Sequence, residues 1–306
     1  MTSNARQGRP LDRDAATPRP RPGRGLPLGG LGLPRLIASR SSKWSVQGPN
    51  RRFMRLQGPL WEVLEDRYFR MEMGGWERLP SEPSLLIGVH SGGALTMDAW
   101  TLCHQWWRHF GEQRILHGTA HDGLMAAPGL GDYMRAAGTI PAKREAIQAA
   151  LAAGHDVVLW PGGEVDAMRS WRKRDQVVLG GRKGWVRLAI RTGVPIVPVA
   201  TIGGPETVFI LSEGKRLARL LGLKALLRTE RLPITLGIPF GIAPEILPTH
   251  VPLPAKIRTE LLDPVYLDPE RAGDRDYVDG VYHDIEQRIQ HGVDALATRR
   301  RFPIFA

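Results

Sequence analysis

Two apolar runs decide how this chain folds: Ser84-Leu-Leu-Ile-Gly-Val-His90 and Asp156-Val-Val-Leu-Trp-Pro-Gly-Gly163. Each has the length of a buried strand and ends in a polar or glycine-rich turn. Val194-Pro-Ile-Val-Pro-Val199 is another run of this kind, and residues 98–110 and 143–153 show helical spacing between the runs. Strands that alternate with helices predict an α/β fold, with a mostly parallel central sheet flanked by helices.

The bulk composition suits one large globular domain, since 42% of the 306 residues are hydrophobic and 24% are charged. Residues 1–52 are rich in arginine, proline and glycine, which predicts a disordered basic arm ahead of a single domain at 53–306. Cys103 is the single cysteine, so an internal disulfide is excluded and a cytoplasmic location is favoured. No run approaches the roughly 18–20 apolar residues of a membrane-spanning helix. Any membrane contact is therefore expected to be peripheral.

The chain carries a net charge of +11, which attracts nucleic acid, anionic lipid headgroups or phosphorylated substrates. Charge alone does not choose among these partners. The sequence contains no motif that reads nucleic acid, so we do not predict a nucleic-acid partner.

His90 and Asp98 form the first candidate for chemistry. A histidine at the exit of a strand lies where a substrate meets it, because ligands of α/β proteins bind at the carboxyl ends of the strands. Asp98, in the first turn of the following helix, is placed to hold one ring nitrogen while the other takes a proton. The alternative is a structural histidine that caps a turn, with Asp98 favoured simply by its place near a helix N-terminus.

Ser91 raises the alternative of a serine nucleophile. The nucleophile elbow of serine hydrolases requires G-x-S-x-G at a strand–turn–helix junction. Here Gly88 stands three residues before Ser91 instead of two, and the pattern occurs nowhere else. The sequence therefore argues against this class.

The turn Pro161-Gly162-Gly163-Glu164-Val-Asp166 forms the second candidate. Glycines after a strand let backbone N–H groups approach a phosphate or a developing oxyanion. Glu164 or Asp166 would orient an arginine or an acceptor hydroxyl, and the basic run 169–174, which begins with Arg169, would hold phosphates or headgroups. The alternatives are a plain tight turn followed by a solvated loop.

Two weaker patterns are a helix with one basic side, whose role stays open, and a candidate metal site, which is not supported. Residues 215–228 place leucines on one side of a helix and basic residues on the other, which suits either a membrane interface or packing on the domain itself. His117, His121 and Asp122 have spacing that a metal site uses, but no further ligand pattern supports one, and no metal is predicted.

The order of these motifs is more specific than any one of them. His90 and Asp98, then Gly138-Thr-Ile-Pro-Ala-Lys-Arg144, then Trp160-Pro-Gly-Gly163, then the proline-containing run to Val199 resembles the lysophospholipid acyltransferase superfamily. The resemblance covers residues 60–268. The spelling Gly162-Gly163-x-x-Asp166-Ala167 is most similar to the type-2 diacylglycerol acyltransferase and phytyl ester synthase branch.

That resemblance implies an O-acyltransferase. His90 is expected to act as the general base on an acceptor hydroxyl, with Asp98 orienting it although residues 91–97 separate them where the family has four residues. Arg144 and Arg169 are expected to bind phosphates, and Gly162, Gly163, Glu164 and Asp166 to line the substrate site.

The resemblance also implies the partners. The donor is expected to be acyl-CoA or acyl carrier protein acting as co-substrate, without any cofactor. The acceptor is expected to be diacylglycerol, a long-chain alcohol or a lysophospholipid, held at the inner, anionic face of a membrane. The alternative function is a non-catalytic protein that binds membrane lipids and retains the fold.

Overall fold

The computed structural model describes residues 39–40, 42–93, 95–224, 229–245 and 250–300. The strands are β1 (Glu72–Gly74), β2 (Leu85–Ile87), β3 (Leu116–Ala120), β4 (Ile140–Pro141), β5 (Asp156–Leu159), β6 (Ile196–Ile202), β7 (Phe209–Ser212), β8 (Ile234–Gly237), β9 (Gly241–Pro244) and β10 (Arg258–Leu261). The helices are α1 (Arg51–Val63), α2 (Met97–Phe110), α3 (Asp122–Ala126), α4 (Leu130–Ala136), α5 (Arg144–Ala152), α6 (Glu164–Ala167), α7 (Gly184–Thr192), α8 (Lys215–Leu220) and α9 (Arg275–Thr298).

The central sheet has seven strands in the order β1-β10-β6-β2-β5-β3-β4. Every neighbouring pair is parallel except β10 and β6. The predicted α/β class with a mostly parallel sheet is therefore confirmed. A second sheet of three antiparallel strands, β7-β8-β9, lies outside that prediction.

The two apolar runs at 84–90 and 156–163 form adjacent strands near the middle of the large sheet. Leu86 of β2 pairs with Val158 of β5, and both side chains are fully buried. Leu85 and Ile87 face one hydrophobic cluster, whereas Leu86 faces another that includes Trp106 of α2. Since both faces of the sheet are covered, these strands are apolar throughout instead of alternating with polar residues.

The folded part of the chain begins before the predicted boundary at residue 53. Helix α1 starts at Arg51, and Asn50 caps it by accepting a hydrogen bond of 3.1 Å from the Phe53 N–H. Trp44 and Val46 pack against the main core, so these residues do not belong to the predicted disordered arm. Residues 1–38 lie outside the described part of the chain.

The predicted amphipathic helix at 215–228 is shorter than expected where it is described. Helix α8 ends at Leu220, and residues 225–228 lie outside the described residues. Leu217 and Ala218 pack on Leu232, while Leu220 is exposed. Among the described residues, no helix has the length and apolar character to cross a membrane.

An ion pair at the amino-terminal edge of the sheet fixes strand β5 beside β2. The Asp156 carboxylate accepts hydrogen bonds of 2.7 and 2.9 Å from Arg114 and one of 2.9 Å from the Ser84 N–H. Replacing Asp156 with alanine leaves a largely buried guanidinium without its charged partner, although the Pro80 and Glu82 carbonyl oxygens still accept hydrogen bonds from it. We expect Asp156→Ala to lower the free energy of unfolding by about 3 kcal/mol, measured by urea denaturation.

The matched control is Asp284→Ala, which removes an exposed pair with Arg288 on helix α9. Exposed pairs contribute little, so this variant should unfold like the wild type. Equal stability of Asp156→Ala and Asp284→Ala would contradict the structural role of the buried pair.

Candidate active site

His90 lies just beyond the carboxyl end of β2, and its Nδ1 lies 3.7 Å from Oδ2 of Asp98. The seven residues 91–97 between them include a turn in which Gly92, Gly93 and Thr96 have positive φ values of 82°, 71° and 41°. This turn takes up the extra length and returns Asp98, the second residue of α2, to the imidazole. The longer spacing therefore keeps the pair within ion-pair distance.

The histidine–aspartate pair is shielded on one side and open on the other. Among the described residues, Nδ1 of His90 and both carboxylate oxygens of Asp98 are buried without a hydrogen-bond partner. The Asp98 side chain is 1% exposed, whereas the His90 side chain is 18% exposed. Since Nδ1 is buried, the exposed part of the ring is its other side, which a substrate is able to reach.

Trp160 holds the plane of the His90 ring. The two rings stack with centroids 4.6 Å apart and an angle of 6° between their planes. Gly88 makes room for the indole, because a Cβ atom at that position would lie 3.0 Å from Trp160 Nε1. The sequence pattern placed Trp160 only in the turn and did not predict this contact, because the contact joins neighbouring strands.

Asp166 fixes the backbone of the histidine. Its Oδ2 accepts a hydrogen bond of 2.5 Å from the His90 N–H, and its Oδ1 pairs with the Arg169 guanidinium. Asp166 is 0% exposed and Arg169 is 5% exposed. The substrate-binding roles predicted for these two residues do not fit this burial, since they bind each other beneath the site.

Burial raises the pKa of Asp166 to about 8. Three groups partly offset that rise: the Arg169 guanidinium and the N–H groups of His90 and Val178. Asp98 acts in the other direction, because its negative charge raises the pKa of Asp166 further.

The glycine turn is tightly enclosed. A Cβ atom on Gly162 would lie 2.1 Å from the Val178 carbonyl oxygen, so no other residue fits there without a shift of the backbone. The Gly163 N–H donates a hydrogen bond of 3.2 Å to the Trp160 carbonyl oxygen, so this N–H is not free to bind the predicted anion. Among the described residues, the Gly162 N–H has no such protein acceptor and is the remaining candidate.

Arg182 is the exposed cation at this turn. Its Nη1 lies 3.5 Å from the Pro161 carbonyl oxygen and would lie 3.2 Å from a Cβ atom on Gly163. It forms no salt bridge with any described residue. Arg182 was not predicted as a site residue, because the eighteen residues after Gly163 gave no sign that the chain returns to the turn.

Arg144 and Glu164 lie at the predicted edge of the sheet but not against His90. Arg144 is exposed at the first position of α5, just after strand β4. Strands β5 and β3 separate β4 from β2, a distance of about 14 Å at the usual strand spacing. Oε1 of Glu164 accepts a hydrogen bond of 3.3 Å from the Glu230 N–H, which ties α6 to the chain entering β8.

A loop that precedes β7 packs over the histidine turn. A Cβ atom on Gly204 would lie 2.0 Å from Oγ of Ser91, which is buried. Glu206 in this loop is fully buried, and burial raises its pKa, while pairing with Arg300 after helix α9 opposes the rise. No sequence pattern predicted this contact, because 93 residues lie between Glu206 and Arg300.

The residues of the rejected metal site do not converge. Nδ1 of His117 lies 2.7 Å from the Gly138 carbonyl oxygen, and its Nε2 lies 3.1 Å from His155. His121 caps α3, and Asp122 pairs with Lys143 at 3.0 Å. Within the described ranges, no group of three His, Cys, Asp or Glu residues is arranged to hold a metal ion.

A family model for diacylglycerol acyltransferase matches residues 51–228. An uncharacterized protein of Mycobacterium leprae is 31% identical over 209 residues, covering 68% of this chain and 54% of that protein. The DGAT1/2-independent enzyme synthesizing storage lipids of Bos taurus is 30% identical over 212 residues, covering 69% of this chain and 57% of that protein.

A solved structure is also similar. The crystal structure of the 1-acyl-sn-glycerophosphate acyltransferase PlsC from Thermotoga maritima has a TM-score of 0.48 and 15% sequence identity. The match covers 88% of this chain and 90% of that one.

Fold and site together define an α/β protein with a histidine–aspartate pair at the carboxyl edge of its sheet. Because the family model matches more than half of the 306 residues, the chain belongs to the diacylglycerol acyltransferase family. The predicted resemblance to that branch is thereby confirmed. The chain spans about half the length of the relatives it matches, 54% in the first case.

The raised pKa of Asp166 gives a pH dependence of stability. In the unfolded chain an aspartic acid ionises near pH 4. Between about pH 4 and about 8 the folded chain therefore holds a proton that the unfolded chain has lost, so stability falls as pH rises through this window. Relative to Asp166→Asn, which lacks the titrating group, the wild type should lose up to about 1.4 kcal/mol per pH unit.

Urea denaturation of both proteins at a series of pH values measures this difference. Other titrating groups are common to the two proteins and cancel in the comparison. Parallel profiles would show that the Asp166 carboxylate stays ionised beside Arg169, contrary to the prediction.

Proposed function

We propose that this protein transfers an acyl group from a thioester donor to a hydroxyl group of a lipid acceptor. The observation that carries the proposal is the environment of the His90 imidazole. One face of its ring is stacked on Trp160, its Nδ1 faces the buried Asp98, and its far side is open. A histidine held in this way suits a general base better than a structural cap.

In the proposed reaction, Nε2 of His90 takes the proton of the acceptor hydroxyl as its oxygen attacks the thioester carbonyl carbon. Asp98 supports the imidazolium that forms, because its carboxylate lies at ion-pair distance from Nδ1. The tetrahedral intermediate then loses the C–S bond. The imidazolium returns its proton to the departing thiolate, so the products are an ester and a thiol.

The Gly162 N–H is the group we assign to the developing oxyanion. It belongs to the turn that follows β5, the strand beside β2, and the same turn supplies Trp160 to the histidine. A fixed N–H aimed at the reacting oxygen stabilises the tetrahedral intermediate more than the planar thioester. No acyl-enzyme is required in this scheme, because the acceptor oxygen attacks the donor directly.

The charges of the site favour an uncharged acceptor, such as diacylglycerol or a long-chain alcohol. Arg169, which was predicted to hold a phosphate, is buried and paired with Asp166. Arg144 stands three strand positions from β2. Neither residue is placed to bind a phosphate on an acceptor whose hydroxyl reaches His90, and the family name points to the same acceptor class.

Arg182 is the residue we assign to the donor. It is exposed, unpaired among the described residues and adjacent to the glycine turn where the thioester would lie. A guanidinium binds phosphate oxygens in a bidentate manner, so Arg182 suits the phosphates of acyl-CoA or the phosphopantetheine of an acyl carrier protein. No cofactor enters this scheme. The net charge of +11 supports the further proposal of peripheral binding to an anionic membrane on its cytoplasmic face.

Acyl transfer is tested with labelled palmitoyl-CoA or acyl carrier protein and a panel of diacylglycerol, long-chain alcohols, lysophospholipids and glycerol phosphate. We expect wild type to form a labelled ester with an uncharged acceptor. His90→Ala should reduce kcat by about 10³-fold or more, and Asp98→Asn by about 10²-fold, because each removes part of the proton transfer.

Ser91→Ala is the matched control in the same turn. The Ser91 hydroxyl is buried beneath Gly204, so its loss should leave kcat within a few-fold of wild type. Abolished transfer in Ser91→Ala, with His90→Ala still active, would overturn the general-base scheme. Wild type that binds lipid but transfers no acyl group from either donor would favour the non-catalytic alternative.

The donor site is tested by the KM for acyl-CoA. Arg182→Ala should raise this KM by about tenfold, since a charge-assisted contact contributes about 1.5 kcal/mol, while kcat changes less. Arg182→Lys should recover only part of the affinity because it lacks the bidentate fork. Arg144→Ala is the comparison; a larger effect at Arg144 than at Arg182 would reverse the assignment.

A further inference from the structure

The hairpin formed by β8 and β9 has a polar inner face and an apolar outer face, the reverse of the usual arrangement in a sheet exposed to water on one side. Thr235 of β8 is fully buried, and its Oγ1 lies 3.1 Å from Nδ1 of His250. The same Nδ1 lies 3.0 Å from the buried Glu245 carboxylate. The inner face of this hairpin is therefore polar and hydrogen-bonded.

The outer face of the same hairpin is apolar. Leu236 of β8 pairs directly with Ile242 of β9, and these side chains are 42% and 66% exposed. Between the strands, Ile238 and Phe240 at the tip are 64% and 63% exposed. A sheet with one face in water normally places its polar residues outward. An outward apolar face marks a surface that another apolar phase covers.

The apolar surface continues beyond the two strands. Val251 is 56% exposed and pairs with Ile238, so the two side chains lie next to each other across that bridge. We name the surface formed by Leu236, Ile238, Phe240, Ile242 and Val251 the hairpin patch.

Cations accompany the hairpin patch on the same small sheet. Helix α8, which follows β7 and packs on Leu232 just before β8, exposes Arg216 and Arg219. Neither arginine forms a salt bridge with any described residue. An open groove of 590 Å³ between this helix and Lys173 is lined by Arg216 and also by Lys215. Lys173 and Lys215 both pair with Glu213 in its wall. Apolar side chains and unpaired cations carried by one small sheet fit a surface with negative headgroups above hydrocarbon.

The small sheet is joined to the catalytic turns. Its first strand, β7, follows the loop that packs over Ser91, and Phe209 of β7 lies 5.2 Å from the Trp171 ring between centroids. Leu253, close to Val251, donates a hydrogen bond of 2.7 Å to Thr207 of that loop. A surface that holds this sheet therefore holds the turns around His90 as well.

We propose that the hairpin patch inserts into the headgroup region of an anionic lipid bilayer, with Ile238 and Phe240 as the deepest side chains. The proposal rests on the proposed function for its purpose, because it brings His90 to acceptors dissolved in the membrane. Its physical basis is independent of catalysis: the reversed hairpin and the unpaired cations of α8.

Vesicle flotation tests the surface without any acyl transfer. The full chain is mixed with vesicles of phosphatidylcholine, with or without phosphatidylglycerol. The double variant Ile238→Ser/Phe240→Ser should lose at least about tenfold in affinity for the anionic vesicles, since both apolar contacts are lost. The double variant Arg216→Gln/Arg219→Gln should lose most of the preference for phosphatidylglycerol.

The control is Tyr266→Ser, which removes a side chain of equal exposure, 64%, from the opposite edge of the large sheet. Tyr266 follows Val265, which pairs with Ile196 at the start of β6, whereas His90 lies beyond the end of β2. This variant should bind vesicles as wild type does. Equal binding by wild type and the hairpin double variant would overturn the proposal.

A second measurement locates the tip directly. Phe240→Cys and Tyr266→Cys are each labelled with a thiol dye whose emission shifts to the blue in an apolar environment. Burial raises the pKa of Cys103 to about 12, so this native thiol stays protonated and reacts slowly. The label at 240 should shift to the blue on adding anionic vesicles, and the label at 266 should not. A shift at 266 alone would overturn the proposal.

Two further outcomes separate the possibilities. If the patch instead joins two copies of the chain, the hairpin variant will change the mass measured by analytical ultracentrifugation and leave vesicle binding intact, which overturns the proposal. If wild type binds vesicles through the hairpin but transfers no acyl group, the docking surface stands and the proposed function fails. With a short-chain, water-soluble alcohol as acceptor, the hairpin variant should retain wild-type transfer and lose only that to vesicle-embedded acceptors.

Discussion

The hydrogen bond from the His90 N–H to the buried Asp166 carboxyl holds the site together. It joins the turn after β2 to the turn after β5, two segments that hydrogen bonds of the parallel ladder bring side by side. Arg169 pairs with the same Asp166 carboxyl, and Trp160 of the turn after β5 stacks on the imidazole. The histidine is thus fixed at its backbone and at its ring by one neighbouring segment. If His90 acts as the proposed general base, a ring held in this way needs little reorganisation when charge develops.

The parts predictable from sequence are those specified by local pattern. The buried runs that became β2, β5 and β6 have no polar face, and the helices between them have clear spacing, so an α/β sheet followed directly. Their carboxyl ends brought His90 and Gly162 to one edge, as the topology of parallel sheets requires. The order of the motifs then indicated the family before any contact was seen.

The features of the fold and the site that were not predicted depend on contacts between segments far apart in the sequence. Whether Asp166 faces a substrate or the protein interior is decided by how the turn packs, and both carboxylates of that turn looked alike in sequence. Glu206 and Arg300 lie 94 positions apart, and Trp44 joins the core from within an arginine-rich stretch. The small sheet was not predicted because Leu236, Ile238, Phe240 and Ile242 alternate with glycine and proline, which give no clear polar face.

The longer loop between His90 and Asp98 bears on how members of this family are recognised in genomes. The proposed chemistry needs a carboxylate near the imidazole, and here three left-handed residues restore that proximity across a separation of seven residues. A search pattern that fixes the separation at four would pass over this chain. A three-dimensional descriptor, with a carboxylate near Nδ1 and an indole parallel to the ring, would retain it. Such a descriptor would group proteins by the geometry of the site instead of by the length of the loop between its residues.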